Sequence, residues 1–216
     1  MKVVEQLIDL GQELVARGLV LGSGGNLSYR EGERMFITRS RALLHQLTPE
    51  DFLPVALHQP YHRPETLPRP STETPMHQAV YLARPDARVI VHCHPVNAIA
   101  WAMSGQPLPA VTPDFTLYLG PEVPTVPYFL PGSRGLADAV TRALAQSPAA
   151  LLGNHGVLVT GDTVAKARLR LFHIDETAAI CLKAKAAGFL RPLQSHEISE
   201  IITVYGRKKD SAAPNP

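Results

Sequence analysis

The pentapeptide Val91-His92-Cys93-His94-Pro95 constrains this chain most. It ends an apolar run, Ala87-Arg88-Val89-Ile90-Val91, that reads as a strand. Strand side chains alternate faces, so His92 and His94 point one way and Cys93 the other. Two imidazoles about 6–7 Å apart on one ordered face can share a cation. A third histidine sits in Gly153-Asn154-His155-Gly156, between two further apolar runs. Three histidines with an open fourth position suit a catalytic zinc site better than a structural one. A fold that uses them must carry that distant turn back to this strand.

Periodicity supplies the rest of the frame. Residues 1–18 repeat apolar positions at helical spacing, and Gly18 ends them. Asn26–Arg30 and Arg34–Thr38 read as a hairpin across Glu31-Gly32-Glu33, and Leu53–Leu57 as a short strand. Thr48-Pro49-Glu50-Asp51 is a capped turn, and His58–Pro70 a long Pro-rich loop. Ser71-Thr72-Glu73-Thr74-Pro75 opens a helix to about Ala83, with proline in its first turn. Helices follow near Val96–Met103, Leu136–Gln146, 163–187 and Glu197–Val204, with strands at Ala149–Leu152 and Val157–Thr160. Gly105–Pro131, rich in proline, reads as short strands and loops. No βαβ rhythm recurs. The pattern therefore predicts one α/β domain over residues 1–206, a central mixed, mainly antiparallel sheet flanked by helices. Residues 207–216 read as a disordered tail.

Bulk properties remove several function classes. Twenty-one Lys and Arg against 19 Asp and Glu leave a formal charge of +2, too little to argue for nucleic acid or a membrane surface. No stretch approaches the ~18 uninterrupted apolar residues of a membrane span. The N-terminus lacks a continuous apolar core, so no signal peptide is expected. Cys93 and Cys181, far apart in apolar contexts, suit a reducing cytoplasm rather than a disulfide.

Six segments now stand in order: Gly25-Asn26-Leu27-Ser28, Ile37-Thr38-Arg39-Ser40-Arg41, Ser71-Thr72-Glu73, His92-Cys93-His94, Asn154-His155-Gly156 and Tyr205-Gly206. Their order resembles the class II aldolase/adducin family, especially its fuculose-phosphate aldolase branch, over about residues 5–206. The resemblance implies a zinc-dependent lyase acting on a small sugar phosphate, with one Zn2+ per subunit. It also implies a homotetramer with active sites at subunit interfaces. Glu73 matches the family's acid/base glutamate, which also ligates zinc until substrate displaces it. Tyr205 matches a C-terminal tyrosine that approaches the site from the chain's end.

The residue types suit that chemistry on their own terms. Aldol cleavage leaves negative charge on oxygen, which a dication stabilises. A carboxyl beside it, here Glu73, can move the carbon proton. Ser71 and Thr72 at a helix start offer N–H groups to a phosphate, and Asn26 an amide donor. The family's phosphate loop, of the Thr-Pro-Ser/Thr-Gly type, is here Thr38-Arg39-Ser40-Arg41. Ser40 keeps a hydroxyl, and Arg41 in place of glycine offers a charged fork.

A second departure from the family pattern concerns its mid-chain tyrosine, whose matching position is Pro113, with Tyr118 nearby. That departure keeps dehydration, decarboxylation or epimerisation of a sugar phosphate open beside aldol cleavage. A non-catalytic module like the adducin head would be expected to have degraded ligands. A strand His-x-His with a distant histidine also occurs in zinc hydratases of the carbonic anhydrase type, which give no role to the Ser-Thr-Glu and Asn segments.

Overall fold

The computed structural model describes residues 2–206, so the expected disordered tail at 207–216 lies outside the described residues. The chain runs α1 (Val3–Ala16), β1 (Asn26–Glu31), β2 (Arg34–Thr38), β3 (Phe52–Ala56), α2 (Thr74–Ala83), β4 (Val89–Cys93) and α3 (Val96–Ala102). It continues β5 (Leu108–Pro109), α4 (Pro113–Leu119), β6 (Glu122–Val123), β7 (Thr125–Val126), α5 (Arg134–Ala143), β8 (Ala149–Leu152), β9 (Gly156–Gly161), α6 (Val164–Ala186) and α7 (Ser195–Ile201). A single π turn spans Ile202–Gly206.

Among the described residues, seven strands form one sheet in the order β3-β2-β1-β4-β9-β8-β7. Every neighbouring pair is antiparallel except β7 with β8, the mixed and mainly antiparallel sheet that the sequence predicts. Both faces are covered. Val89, Val91 and Cys93 of β4 join a core with residues of α1, α3, α4 and α6. Ile90 faces the other way, into a core with Met76, Val80 and Tyr81 of α2 and Val140 of α5. Strand alternation then puts His92 on the α2/α5 side and Cys93 opposite, as expected.

β4 is the buried centre. All five of its residues are buried, and β1 and β9 pair with it on either side. Each fully buried valine or isoleucine there stabilises by about 1.5–3 kcal/mol. That rigidity matters because the same strand carries a polar site.

The segment 105–131 differs from expectation. Alongside the short strands and loops stands a helix, α4, at Pro113–Leu119. Its prolines read as breakers, but Pro113 lies in the first turn, where no N–H is needed. Thr112 caps it by accepting from the Phe115 N–H at 3.3 Å, and Phe115, Thr116 and Leu119 bury one face. Gly120 ends it. The helix expected to open at Ser71 begins at Thr74, with Glu73 as its cap residue.

Candidate metal centre

The three predicted histidines meet. One ligand nitrogen from each of His92, His94 and His155 lies within 4.8 Å of the other two. Ring centroids are 4.9 Å apart for His92–His94 and for His92–His155, and 5.3 Å for His94–His155. The Nε2 atoms of His92 and His94 face each other at 3.1 Å. That is near the ~3.3 Å edge between two nitrogens each ~2.0–2.1 Å from a tetrahedral ion.

Local structure delivers each ring. His92 is the last residue of β4 paired with β1, opposite Asn26, and on the other side it pairs with Leu158 of β9. His94 follows one residue past the strand, anchored by its own N–H to the Leu19 carbonyl at 3.2 Å. His155 sits in the tight turn between β8 and β9, where Leu152 pairs with Gly156. Asn154 supplies the left-handed residue of that turn, at φ 56°, a conformation asparagine tolerates better than most. Gly156 has no room for a side chain. A Cβ there would meet the Cys93 carbonyl oxygen and lie 2.7 Å from His94 Cδ2.

Ring orientation is set from outside. His92 Nδ1 lies 2.9 Å from the Val157 carbonyl oxygen, to which it donates. This turns Nε2 towards the cluster as the nitrogen a metal would take, the usual arrangement behind a metal-binding imidazole.

Glu73 enters from the α2 cap. Its Oε2 lies 2.9 Å from His92 Nε2, and its Oε1 3.5 Å from His155 Nε2. Asn26 donates its side-chain amide to Oε2 at 3.0 Å. Glu73 is 5% exposed, where an uncompensated carboxylate would cost several kcal/mol. Burial pushes its carboxyl upward. The charges of His92 and His155, with hydrogen bonds from His92 and Asn26, outweigh it and hold Glu73 far below the usual carboxylate range. Burial pushes His94 down to about 4, helped by the other two rings. His155 falls too, through burial and the charge of His92. Burial would lower His92 too, but Glu73 outweighs it and raises the ring above its ordinary value. Buried and without hydrogen-bond partners are Glu73 Oε1, His155 Nδ1 and Asn26 Oδ1. Three imidazoles, one ionised carboxylate and these unsatisfied atoms are a donor set that fits a divalent cation.

The two expected anion segments also come together. Ser71 N–H donates to the Thr38 carbonyl at 3.1 Å, and Ser40 N–H to the Arg69 carbonyl at 2.8 Å. Arg39 bridges Pro70. Residues 38–41 therefore lie beside residues 69–71. Ser71 is buried and its hydroxyl accepts from the Glu73 N–H at 3.3 Å, while Thr72 and Arg41 are exposed. Arg41 holds φ 64°, a left-handed conformation in a residue with a Cβ. Asn26 differs from a simple phosphate donor, because its amide is engaged by Glu73.

The tyrosines are placed elsewhere in the chain. Tyr205 is 51% exposed on the terminal π turn. Tyr118 stacks on His173 of α6, ring centroids 5.0 Å apart. One residue that the motifs pass over is His77. It lies four positions after Glu73, a spacing that puts both on one helix face, and it is fully buried.

This arrangement defines a class: α/β proteins that gather three imidazoles and a carboxylate at one end of a mixed sheet. Within that class the chain belongs to the family described as Class II Aldolase and Adducin N-terminal domain, matched over residues 5–182. It is 33% identical over 165 residues to a 5-methylthioribulose-1-phosphate/5-deoxyribulose-1-phosphate aldolase of Escherichia coli O45:K1 (strain S88 / ExPEC), covering 76% of each chain. It is 30% identical over 189 residues to a 3-oxo-tetronate 4-phosphate decarboxylase of Cupriavidus necator, covering 85% of each. A solved L-fuculose 1-phosphate aldolase superposes with a TM-score of 0.85 at 29% identity, covering 94% of this chain and 96% of that one. Membership supports an aldolase-type enzyme acting on a small sugar phosphate. Among the described residues no helix is long and apolar enough to cross a membrane.

Proposed function

We propose that the chain is a zinc-dependent lyase that cleaves a small ketose 1-phosphate reversibly to dihydroxyacetone phosphate and an aldehyde. The observation that carries this is the Glu73 carboxylate in contact with two of three clustered imidazoles. His92, His94 and His155 would hold one Zn2+, with Glu73 as a further ligand before substrate arrives. When bound, the dication supplies Lewis-acid stabilisation of negative charge on substrate oxygen.

The chain's own residues do the rest. Asn26 holds the Glu73 carboxylate ionised and aimed. In the cleavage direction the Glu73 carboxylate would take the substrate hydroxyl proton, and the carbon–carbon bond would break to release the aldehyde and leave its electron pair on the enediolate. The Glu73 carboxyl would then return the proton to the carbon beside the carbonyl, giving dihydroxyacetone phosphate. Ser40, Arg41, Ser71 and Thr72 would form the phosphate cradle; the Asn26 amide, engaged by Glu73, would join it only when substrate moves that carboxylate. Arg41 would supply a charged fork where glycine would offer only backbone. Tyr205 would assist at the aldehyde end, serving a neighbouring copy in a homotetramer. The cytoplasm is the compartment we infer, from two buried free cysteines.

A second reading is decarboxylation of a sugar-acid phosphate on the same scaffold. It is favoured by Pro113, which occupies the first turn of α4 and carries no hydroxyl for a leaving aldehyde. Incubating zinc-loaded protein with fuculose 1-phosphate, ribulose 1-phosphate, methylthioribulose 1-phosphate and 3-oxo-tetronate 4-phosphate, with products identified by mass, separates the two. Dihydroxyacetone phosphate marks the first and carbon dioxide the second. Full turnover by protein stripped of metal would overturn both.

A further inference from the structure

Below the histidine cluster, a second polar row joins the same two elements. Glu73, His77 and Tyr81 recur every four residues along α2 and its cap, so they share one face. His77 and Tyr81 are fully buried. His77 Nδ1 lies 2.8 Å from Ser28 Oγ, and the Tyr81 hydroxyl lies 2.9 Å from the same oxygen. Ser28 is also fully buried, on β1. It stands two residues after Asn26 and hence on the same face. Across the sheet, Asn26 pairs with His92 and Ser28 with Ile90. Helix and strand thus meet at two polar rungs, Glu73–Asn26 and His77–Ser28.

The second rung is not what stability alone would select. Apolar packing between α2 and the sheet is non-directional and tolerates small sliding. A hydrogen bond fixes position to a few tenths of an ångström. Burying an imidazole has a cost that its bonds must offset, and His77 Nε2 has no partner. A leucine or phenylalanine would fill this space without that cost. What the histidine adds is register.

We propose that His77, acting through Ser28, is a positioning residue that fixes α2 against β1 so that Glu73 reaches His92 and His155. This rests on the reading of Glu73 as ligand and proton carrier. It differs from that reading in its test, because it can be followed on metal-loaded protein without substrate.

The probe is Co2+, whose visible absorption reports the ligands around it. The variants are His77→Phe, His77→Asn, Ser28→Ala, the pair Ser28→Ala/His77→Phe, and Glu73→Gln as reference. Removing both polar partners together leaves neither the serine hydroxyl nor the imidazole unpaired; the Tyr81 hydroxyl loses Ser28 here as it does in Ser28→Ala, which serves as its control. Asparagine places a polar atom near the position of Nδ1. His77→Phe and the double variant are expected to bind Co2+ with the band moved towards that of Glu73→Gln, and His77→Asn to restore it. Where the wild type turns over a ketose phosphate, kcat should fall about 10- to 100-fold with KM nearly unchanged. A folded double variant whose cobalt band stays at the wild-type position overturns the proposal, whether or not any ketose phosphate is a substrate. Absence of turnover by the wild type alone would instead refute the lyase reading.

Discussion

Asn26 donates to Glu73 across 3.0 Å, joining the first residue of β1 to the cap of α2. Forty-seven residues separate them in the chain, and the bond is buried. It sets how the carboxylate faces His92, and it helps keep that buried carboxylate ionised.

Glu73→Gln keeps the shape and one oxygen but cannot carry a proton. Metal content should stay near the wild-type value, because three imidazoles remain. Turnover should fall by about 10²- to 10⁴-fold. Elemental analysis beside kcat checks both, and a wild-type rate would remove Glu73 from the mechanism.

Protons and the proposed zinc ion would compete for the same nitrogens. His94, pushed down to about 4, and His155, also lowered, are ready at neutral pH. His92 is raised above its ordinary value by Glu73, so it takes up a proton first as pH falls. Zinc affinity should be level above that raised value and drop about tenfold per unit below it. Competition with a chromophoric chelator from roughly pH 8 to 5 measures this. A flat profile would contradict it.

Arg41→Gly separates strain from binding. The left-handed conformation at φ 64° costs a residue with a Cβ about 1–2 kcal/mol. Glycine should therefore raise stability by about 0.5–1 kcal/mol, part of the relief being offset by chain entropy. Loss of the guanidinium should raise KM for a phosphorylated substrate about 10- to 100-fold. Denaturant midpoints and initial rates read the two effects separately; an unchanged KM would take Arg41 out of the cradle.

Much of this site was legible in the sequence because its signals are local. Alternation along β4 put His92 and Cys93 on opposite faces, and the structure agrees. The Asn-His-Gly turn announced itself through residues that accept left-handed backbone. What sequence could not display was pairing between distant segments. Nothing local says that Asn26 holds Glu73, or that residues 38–41 lie along residues 69–71. Helix α4 was missed because proline breaks an interior turn yet suits a first one. His77 was passed over because a lone histidine is usually unremarkable; its spacing from Glu73 was the available clue.

Gly156→Ala tests how little room the turn allows. The new Cβ would press on the Cys93 carbonyl, which is fixed in the sheet, and on His94. We expect about 1–3 kcal/mol of destabilisation and weaker zinc binding, read by thermal unfolding with and without the metal. Unaltered zinc affinity would show that the rings accommodate it.

The pairing of β4 with its neighbours has one last consequence. A slip of a single place would turn both rings into the opposite layer and present the Cys93 thiol instead. Only a correctly aligned chain could hold a metal ion at this site. Metal present during synthesis would therefore act as a proofreader, selecting molecules whose central strand has found the right partners.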